Sequence, residues 1–438
     1  MRYALLNPRW SFEGSTYLGC GDPHFPLGLL AARETLRASG HDVLLIDAHM
    51  ESLGAAEARE RLNRFGEDFL VIPTAPSHLF WRCPQPELRV PMRWISALDR
   101  RSLVIAVGPH GSATPRTALE KTRADVVLRG EPDQTLPMLS TARWETIPGC
   151  CWRDAYGVLH LGQGLGVTDL QAGGAIEYSE YPVHLHTHKH RVFPGNGGDR
   201  LRLGAEVEFA RGCHHSCTVG DKKLLHGQFR ERSIEAVLKE IDGLISRGVD
   251  YIYFIDEIFG VGTKVRLLLE ELALRPVAIG LQTRIDLWNE GGIELLARAH
   301  CISFECGIES VTEESRSESI CRLSRERIGE LLIYARQRIP WVQANFIKSS
   351  LDDGRAIADW RHRLRSRGVS VSEPAPEFPF PGSPQFVETF GEQPGDDAWE
   401  RAHSFYLDLF DRRADSDLQK QHPLPLGQLE AEEQPCAS

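Results

Sequence analysis

Short unbroken apolar runs alternate with amphipathic stretches from the first residues of the chain. Tyr3 to Leu6, Val43 to Ile46, Phe69 to Ile72, Leu103 to Val107 and Val126 to Leu128 are rich in Val, Ile and Leu, with no polar residue at alternate positions. Runs of this kind suit strands buried on both faces of a parallel sheet. Between the first two lies PLGLLAARETLRASG, in which Leu27, Leu30, Ala31 and Leu36 recur at helical spacing, Pro26 suits a first turn and Gly40 suits the helix end. The pattern predicts an α/β fold that opens with a doubly wound, Rossmann-like domain over residues 1–140. Its ligand is expected at the carboxyl ends of the strands.

From 141 to 203 the regularity fades into a connector. IPGCCWRDAYGVLHL predicts a small hairpin, and YPVHLHTHKHRVFPG predicts an extended passage in which His184, His186, His188 and His190 alternate onto one side. Four imidazoles on one strand do not converge on a tetrahedral metal, so solvated or pocket-lining histidines are the plainer expectation. Alternation of strand and helix resumes at Ala205 with AEVEFA, SIEAVLKEIDGLISRGV, YIYFID, TKVRLLLEELALR, AIGLQTRID, GIELLARAHC, ISFECGIES, RERIGELLIYARQR and WVQANFI. Repeated βα units predict a partial (β/α) TIM-type barrel over 204–395, with function on the strand-to-helix loops. Residues 396–438 read as a C-terminal helix and a polar tail expected to be peripheral.

Composition narrows the class. With 438 residues, 42% hydrophobic and 25% charged, the chain has the usage of a multidomain globular protein. Its 50 Lys and Arg against 61 Asp and Glu give a net charge of −11, so no overall basic field invites nucleic acid. No apolar run reaches the roughly 18 residues of a membrane span, and the N-terminus, broken by Asn7 and Pro8, resembles neither leader nor anchor. A cytoplasmic protein is therefore expected. The 10 cysteines lack framework spacing, which favours reduced thiols or metal ligands, with Cys150 and Cys151 as buried thiols.

The chemistry concentrates at loops. The strand ends of the first domain carry Asn7-Pro8-Arg9, Asp47-Ala48-His49, Pro73-Thr74-Ala75 and Gly108-Pro109-His110-Gly111-Ser112, followed by Arg129-Gly130-Glu131-Pro132-Asp133. Taken in order, these resemble the cobalamin-binding domain at the N-terminus of many radical S-adenosylmethionine (SAM) enzymes. The resemblance implies a corrinoid held near Thr74, Ser77, Gly108, His110, Gly111 and Ser112. In the cobalt-ligating motif DxHxxG, Asp47 and His49 match, but Ser52 stands at the last Gly, and many radical relatives bind the cofactor without such a ligand.

The strand AEVEFA runs into Arg211-Gly212-Cys213-His214-His215-Ser216-Cys217-Thr218-Val219-Gly220. This resembles the radical SAM signature Cys-x3-Cys-x-(aromatic)-Cys, whose thiolates hold three irons of a 4Fe-4S cluster. Cys213 and Cys217 match. Gly220 stands at the third cysteine and Val219 at the aromatic position, each a single base change away. Asp221, His214 or His215 as substitute ligand, an absent cluster, or an altered copy are the alternatives. The resemblance further implies SAM contacts at Asp256, Glu257, Arg284, Glu309 and Ser310, with the proline-rich stretch near Phe378 closing the barrel. For Asp256 and Glu257 a helix-capping role competes, and for Glu309 an ordinary strand-to-helix turn.

The implied function is a cobalamin-dependent radical SAM methyltransferase, or related radical enzyme, acting on a small molecule with cobalamin, SAM and a 4Fe-4S cluster. Flavodoxin or ferredoxin would be its electron donor. Two other readings remain: a non-catalytic corrinoid or SAM binder, and polar methyl transfer without a radical.

Overall fold

The computed structural model describes residues 1–16, 23–77, 84–98, 101–188, 202–212, 223–260, 262–308, 323–346, 354–372, 378–412 and 423–431. It divides into two compact units. The first comprises Met1–Ile176 with the described parts of Ser216–Phe229 and Phe378–Ser438; the second comprises the described parts of Glu177–His215 and Arg230–Glu377.

In the first unit, β1 (Arg2–Asn7), β2 (Asp42–Asp47), β3 (Phe69–Pro73), β4 (Leu103–Val107) and β5 (Val126–Leu128) form a parallel sheet in the order 2-1-3-4-5. The apolar runs were a sufficient guide because both faces are covered. Ala4, Leu6, Ile46, Ile72, Ala106 and Val127 enter one core, and Tyr3, Leu5, Val71, Ile105, Val107 and Leu128 enter the other. The expected hairpin, β6 (Cys150–Arg153) and β7 (Leu159–Leu161), pairs antiparallel with β5 and so extends this sheet. Strand order reverses between β1 and β3, which places the crevice for a ligand beside Asn7 and Thr74.

The described part of the C-terminal tail, residues 423–431, is not peripheral. Leu426 and Leu429 of the helix Leu426–Ala431 are buried, and the backbone N–H of Leu424 donates to the Gly14 carbonyl. Lys121 bonds Glu400 at 2.5 Å and Glu430 at 2.7 Å, and Thr117 Oγ1 donates to the Asp396 carbonyl. Apolar residues at 424, 426 and 429 are enough to anchor a short helix whose other residues are polar.

In the second unit, β8 (Thr187–His188) runs antiparallel to β9 (Arg202–Val207), and a small ladder joins β10 (Ala210–Arg211) to β11 (Arg230–Glu231). The main sheet continues through β12 (Tyr251–Phe254), β13 (Ala278–Arg284), β14 (Cys301–Ile308), β15 (Trp341–Phe346) and β16 (Ser370–Val371), all parallel and in sequential order. Side-chain caps from Ser233, Asn289 and Ser324 start the intervening helices. The winding suits a barrel wall, yet β8 and β16 are sheet edges and no closed barrel forms among the described residues.

Two expectations change here. The strand expected to run unbroken through Ala210 ends at Val207 and restarts as β10. The alternating histidines do not share one extended face: Val183–Leu185 is a 3-10 turn that leaves His184 exposed and buries His186 against Glu206, Nε2 to Oε1 3.0 Å. His190 lies outside the described residues.

Candidate functional site

At the strand ends of the first unit, the turn after β4 is fixed by its own backbone chemistry. Gly108 has φ +118°, a region that favours glycine, and a Cβ on Gly111 would lie 2.6 Å from Val127 Cγ1. Ser112 Oγ donates to the Gly108 carbonyl and accepts from the Gly130 N–H, both at 2.9 Å, tying this turn to the Arg129–Asp133 segment. Glu131 then accepts from Thr168 N and bonds His226 Nδ1 at 3.0 Å. Gly108, Gly111 and Ser112 therefore shape the turn.

Thr74 and Ser77 after β3 differ. The Thr74 N–H donates to the Val107 carbonyl, and its own carbonyl accepts from Gln85 Nε2 at 3.1 Å. Yet Thr74 Oγ1 and Ser77 Oγ are buried with no hydrogen-bond partner among the described residues, as are Gln85 Oε1 and His110 Nδ1. Buried hydroxyls left without a partner cost free energy, so their gathering at strand ends is a place that a polar ligand could complete. His110 is fully buried, stacks on Trp399 with ring centroids 4.4 Å apart, and bonds the Pro86 carbonyl through Nε2 at 3.3 Å. Burial pushes its pKa down to about 3, so the ring is neutral. His49 accepts the Trp10 N–H through Nδ1 at 3.2 Å, the local bond of a loop residue.

Gln85 and Trp399 are additional members that patterning did not single out, whereas Asn7 was read there within Asn7-Pro8-Arg9. Asn7 Nδ2 donates to Asp47 at 2.8 Å, and Trp10 Nε1 donates to Asn7 Oδ1. Trp399 Nε1 donates to Thr114 Oγ1 at 3.1 Å. The large apolar ring within AWERAHSFYLDLF was the available signal for Trp399.

In the second unit, Asp256 is buried at the end of β12. Its carboxyl accepts the Phe209 N–H at 3.2 Å and the Ala210 N–H on the other oxygen, drawing the chain out of β9 just before Arg211-Gly212. Burial pushes its pKa up to about 8 against those two donors. Around this bend, Arg211 Nε bonds both oxygens of Glu208 at 2.8 and 3.0 Å. Arg232 donates to the Glu208 carbonyl and to Glu240, which also accepts from Tyr178 at 3.1 Å. Glu257 is half-buried in the following turn. Arg284 forks onto the carboxylate of Asp286, two residues on, at 3.0 and 2.9 Å. Cys213, Cys217, Gly220, Glu309 and Ser310 lie outside the described residues. Cys150, Cys151, Cys301 and Cys306 are buried free thiols.

No family model matches the chain. Among curated proteins, a ribosomal protein uS12 methylthiotransferase, RimO, of Clostridium botulinum (strain Loch Maree / Type A3) is 26% identical over 142 residues. That match spans 31% of this chain and 29% of the relative's length. Among solved structures, the radical SAM methyltransferase TsrM from Kitasatospora setae, bound to tryptophan substrate and a SAM analogue, superposes with TM-score 0.67 at 15% identity, covering 88% of this chain and 75% of that one. TsrM is also known with cobalamin and a [4Fe-4S] cluster bound. The cobalamin-dependent SAM radical enzyme OxsB, with aqua-cobalamin and SAM, superposes with TM-score 0.61 at 14% identity, covering 99% of this chain and 58% of OxsB. The chain has the fold of these enzymes.

Proposed function

We propose that this chain is a cobalamin-binding protein of the radical SAM type, a methyltransferase or related enzyme that acts on a small molecule. The carrying observation is the set of buried polar atoms of Thr74, Ser77, Gln85 and His110 that have no hydrogen-bond partner among the described residues, at the strand ends of a 2-1-3-4-5 sheet. The fold shared with TsrM and OxsB supports the same reading, including a partial barrel in the second unit. We assign Thr74, Ser77, Gly108, His110, Gly111 and Ser112 to the corrinoid. Asp256, Glu257, Arg284, Glu309 and Ser310 are assigned to the SAM side.

When bound, the two cofactors supply a transferable methyl group and its chemical source. The hydroxyls of Thr74 and Ser77 donate to polar groups of the corrinoid, and the Gly108–Ser112 turn lets it approach the backbone. Asp256 acts by position: it sets where the Cys213 segment leaves the sheet. Arg284, held by Asp286, presents a fixed guanidinium plane at the end of β13.

The cluster site is the point of division. Cys213 and Cys217 are two thiolates, and Gly220 contributes no donor, so the motif as it stands does not complete the three-thiolate set of a four-iron cluster. That specific observation favours a second reading, a non-radical or catalytically impaired corrinoid and SAM binder. Anaerobic iron and sulfide reconstitution separates them. The radical reading expects iron–sulfur absorbance and deoxyadenosine formation with a flavodoxin- or ferredoxin-type donor. Absence of both in the native chain, with recovery in Gly220→Cys, assigns the chain to the second reading. Failure to bind either cobalamin or SAM refutes both.

A further inference from the structure

Helix Arg89–Ala97 begins without help from its own sequence. Its N-cap is Leu88, whose side chain accepts no hydrogen bond, and its first turn holds no carboxylate to favour the free N–H groups there. The carboxylate comes from 342 positions further along the chain. Glu430 Oε1 accepts the Leu88 N–H at 3.0 Å, and Glu430 Oε2 accepts from Lys121 Nζ at 2.7 Å. Lys121 also bonds Glu400 at 2.5 Å, so one ammonium joins helices Ala398–Arg412 and Leu426–Ala431 to helix Pro115–Thr122.

What Glu430 holds is the support of the candidate corrinoid site. Gln85 Nε2 donates to the Thr74 carbonyl, and the Pro86 carbonyl, which can only accept, takes the hydrogen bond of His110 Nε2 at 3.3 Å. The segment Gln85–Leu88 thus joins the end of β3 to the turn after β4. Trp399 acts on the same imidazole. It stacks on His110, and its Nε1 donates to Thr114 Oγ1, which donates in turn to the His110 carbonyl at 3.2 Å. Gln85, Leu88, His110 and Trp399 are all buried.

A partly buried ion pair stabilises little beyond an apolar contact of similar size, so strength is not what distinguishes this carboxylate. Position is. The two oxygens of Glu430 set two donors at once, the backbone at Leu88 and the ammonium of Lys121, and an apolar side chain sets neither. A stacked indole likewise fixes the plane of the His110 ring, which an aliphatic chain leaves free to turn.

We propose that Glu430 and Trp399 are positioning residues of the corrinoid site. Glu430 holds the Gln85–Leu88 segment, and Trp399 holds the His110 ring, in the arrangement that retains a bound corrinoid. This rests on the corrinoid-binding reading above and names what keeps that cofactor in place. Both residues act through Gln85–Leu88 and His110, without contact of their own with the ligand.

The test loads the full chain with radiolabelled cyanocobalamin, chases with excess unlabelled cyanocobalamin, and follows the retained label by rapid gel filtration. Glu430→Ala strands the Leu88 N–H, and release about tenfold faster or more is expected, the worth of one hydrogen bond to a charged group. Glu430→Gln keeps an acceptor for Leu88 and should release within about threefold of native. Trp399→Leu, an independent variant, should also release about tenfold faster. Asp68→Ala is the control. It removes the 2.7 Å bond from the Arg2 N–H at the amino ends of the strands, loosening the same unit from the opposite end. Its release should stay within about twofold of native.

Release from Glu430→Ala and Trp399→Leu within about twofold of native overturns the proposal. So does Asp68→Ala releasing as fast as Glu430→Ala, because any loosening of the unit would then act alike. A native chain that takes up no cobalamin defeats the functional reading and this inference with it. Uptake and slow release by the native chain, unaltered in both variants, defeats this inference alone.

Discussion

Replacing Asp256 tests how the chain is steered into its cysteine segment. The carboxyl holds two buried backbone donors, Phe209 N–H and Ala210 N–H, at the bend where β9 gives way to β10. Asp256→Ala strands both. With roughly 1–3 kcal/mol for each buried N–H left without its acceptor, the expected loss is about 2–6 kcal/mol. Asp256→Asn keeps one acceptor and sets an amide donor against the other N–H, so about half that loss is expected. The pH dependence sharpens the test. Burial pushes the Asp256 pKa up to about 8, so the folded state keeps a proton that the unfolded chain has released. Its contribution to stability therefore declines as pH rises from about 4 towards 8, with a slope approaching 1.4 kcal/mol per pH unit. Urea unfolding of native and Asp256→Asn protein between pH 5 and about pH 8 reads this directly: the Asn variant should have the flatter profile. A loss below about 1 kcal/mol for Asp256→Ala, or parallel profiles for native and Asn protein, refutes the steering role.

Two further outcomes follow from the same geometry. Burial opposes the charge of Lys121, but Glu400 and Glu430 outweigh it and hold its pKa up. Lys121→Met leaves two facing carboxylates, and a loss of roughly 1–3 kcal/mol, with faster proteolysis beyond Phe390, is expected from a pair that is only partly buried. Unchanged protease sensitivity would remove the tail from the first unit's stability. Burial also pushes the thiols of Cys150 and Cys301 up to about 12, and Cys151 and Cys306 upward as well. Iodoacetamide at pH 8 should leave all four unmodified in the native fold; peptide mass mapping that finds them labelled refutes that burial.

Much was legible from sequence because its signals are local. Apolar runs identified the strands of the first sheet, since a strand buried on both faces tolerates no polar residue between Tyr3 and Leu6. Turn chemistry at Gly108 and Gly111 was legible for the same reason, as φ and close approach restrict residue type at the position itself. Cys213 and Cys217, and the departure at Gly220, are likewise features of spacing along the chain.

What depends on distant partners was decided only by tertiary structure. Nothing near Asp256 in sequence says that its carboxyl caps two amides more than forty residues earlier. The polar tail conceals that Trp399 covers His110 and that Glu430 reaches Lys121. Gln282, Glu305 and Gln343 lie in separate βα units, and only strand register sets them in one row. Residue pattern determines which face of an element is apolar; which residues from different elements meet is fixed by pairing and packing over long separations.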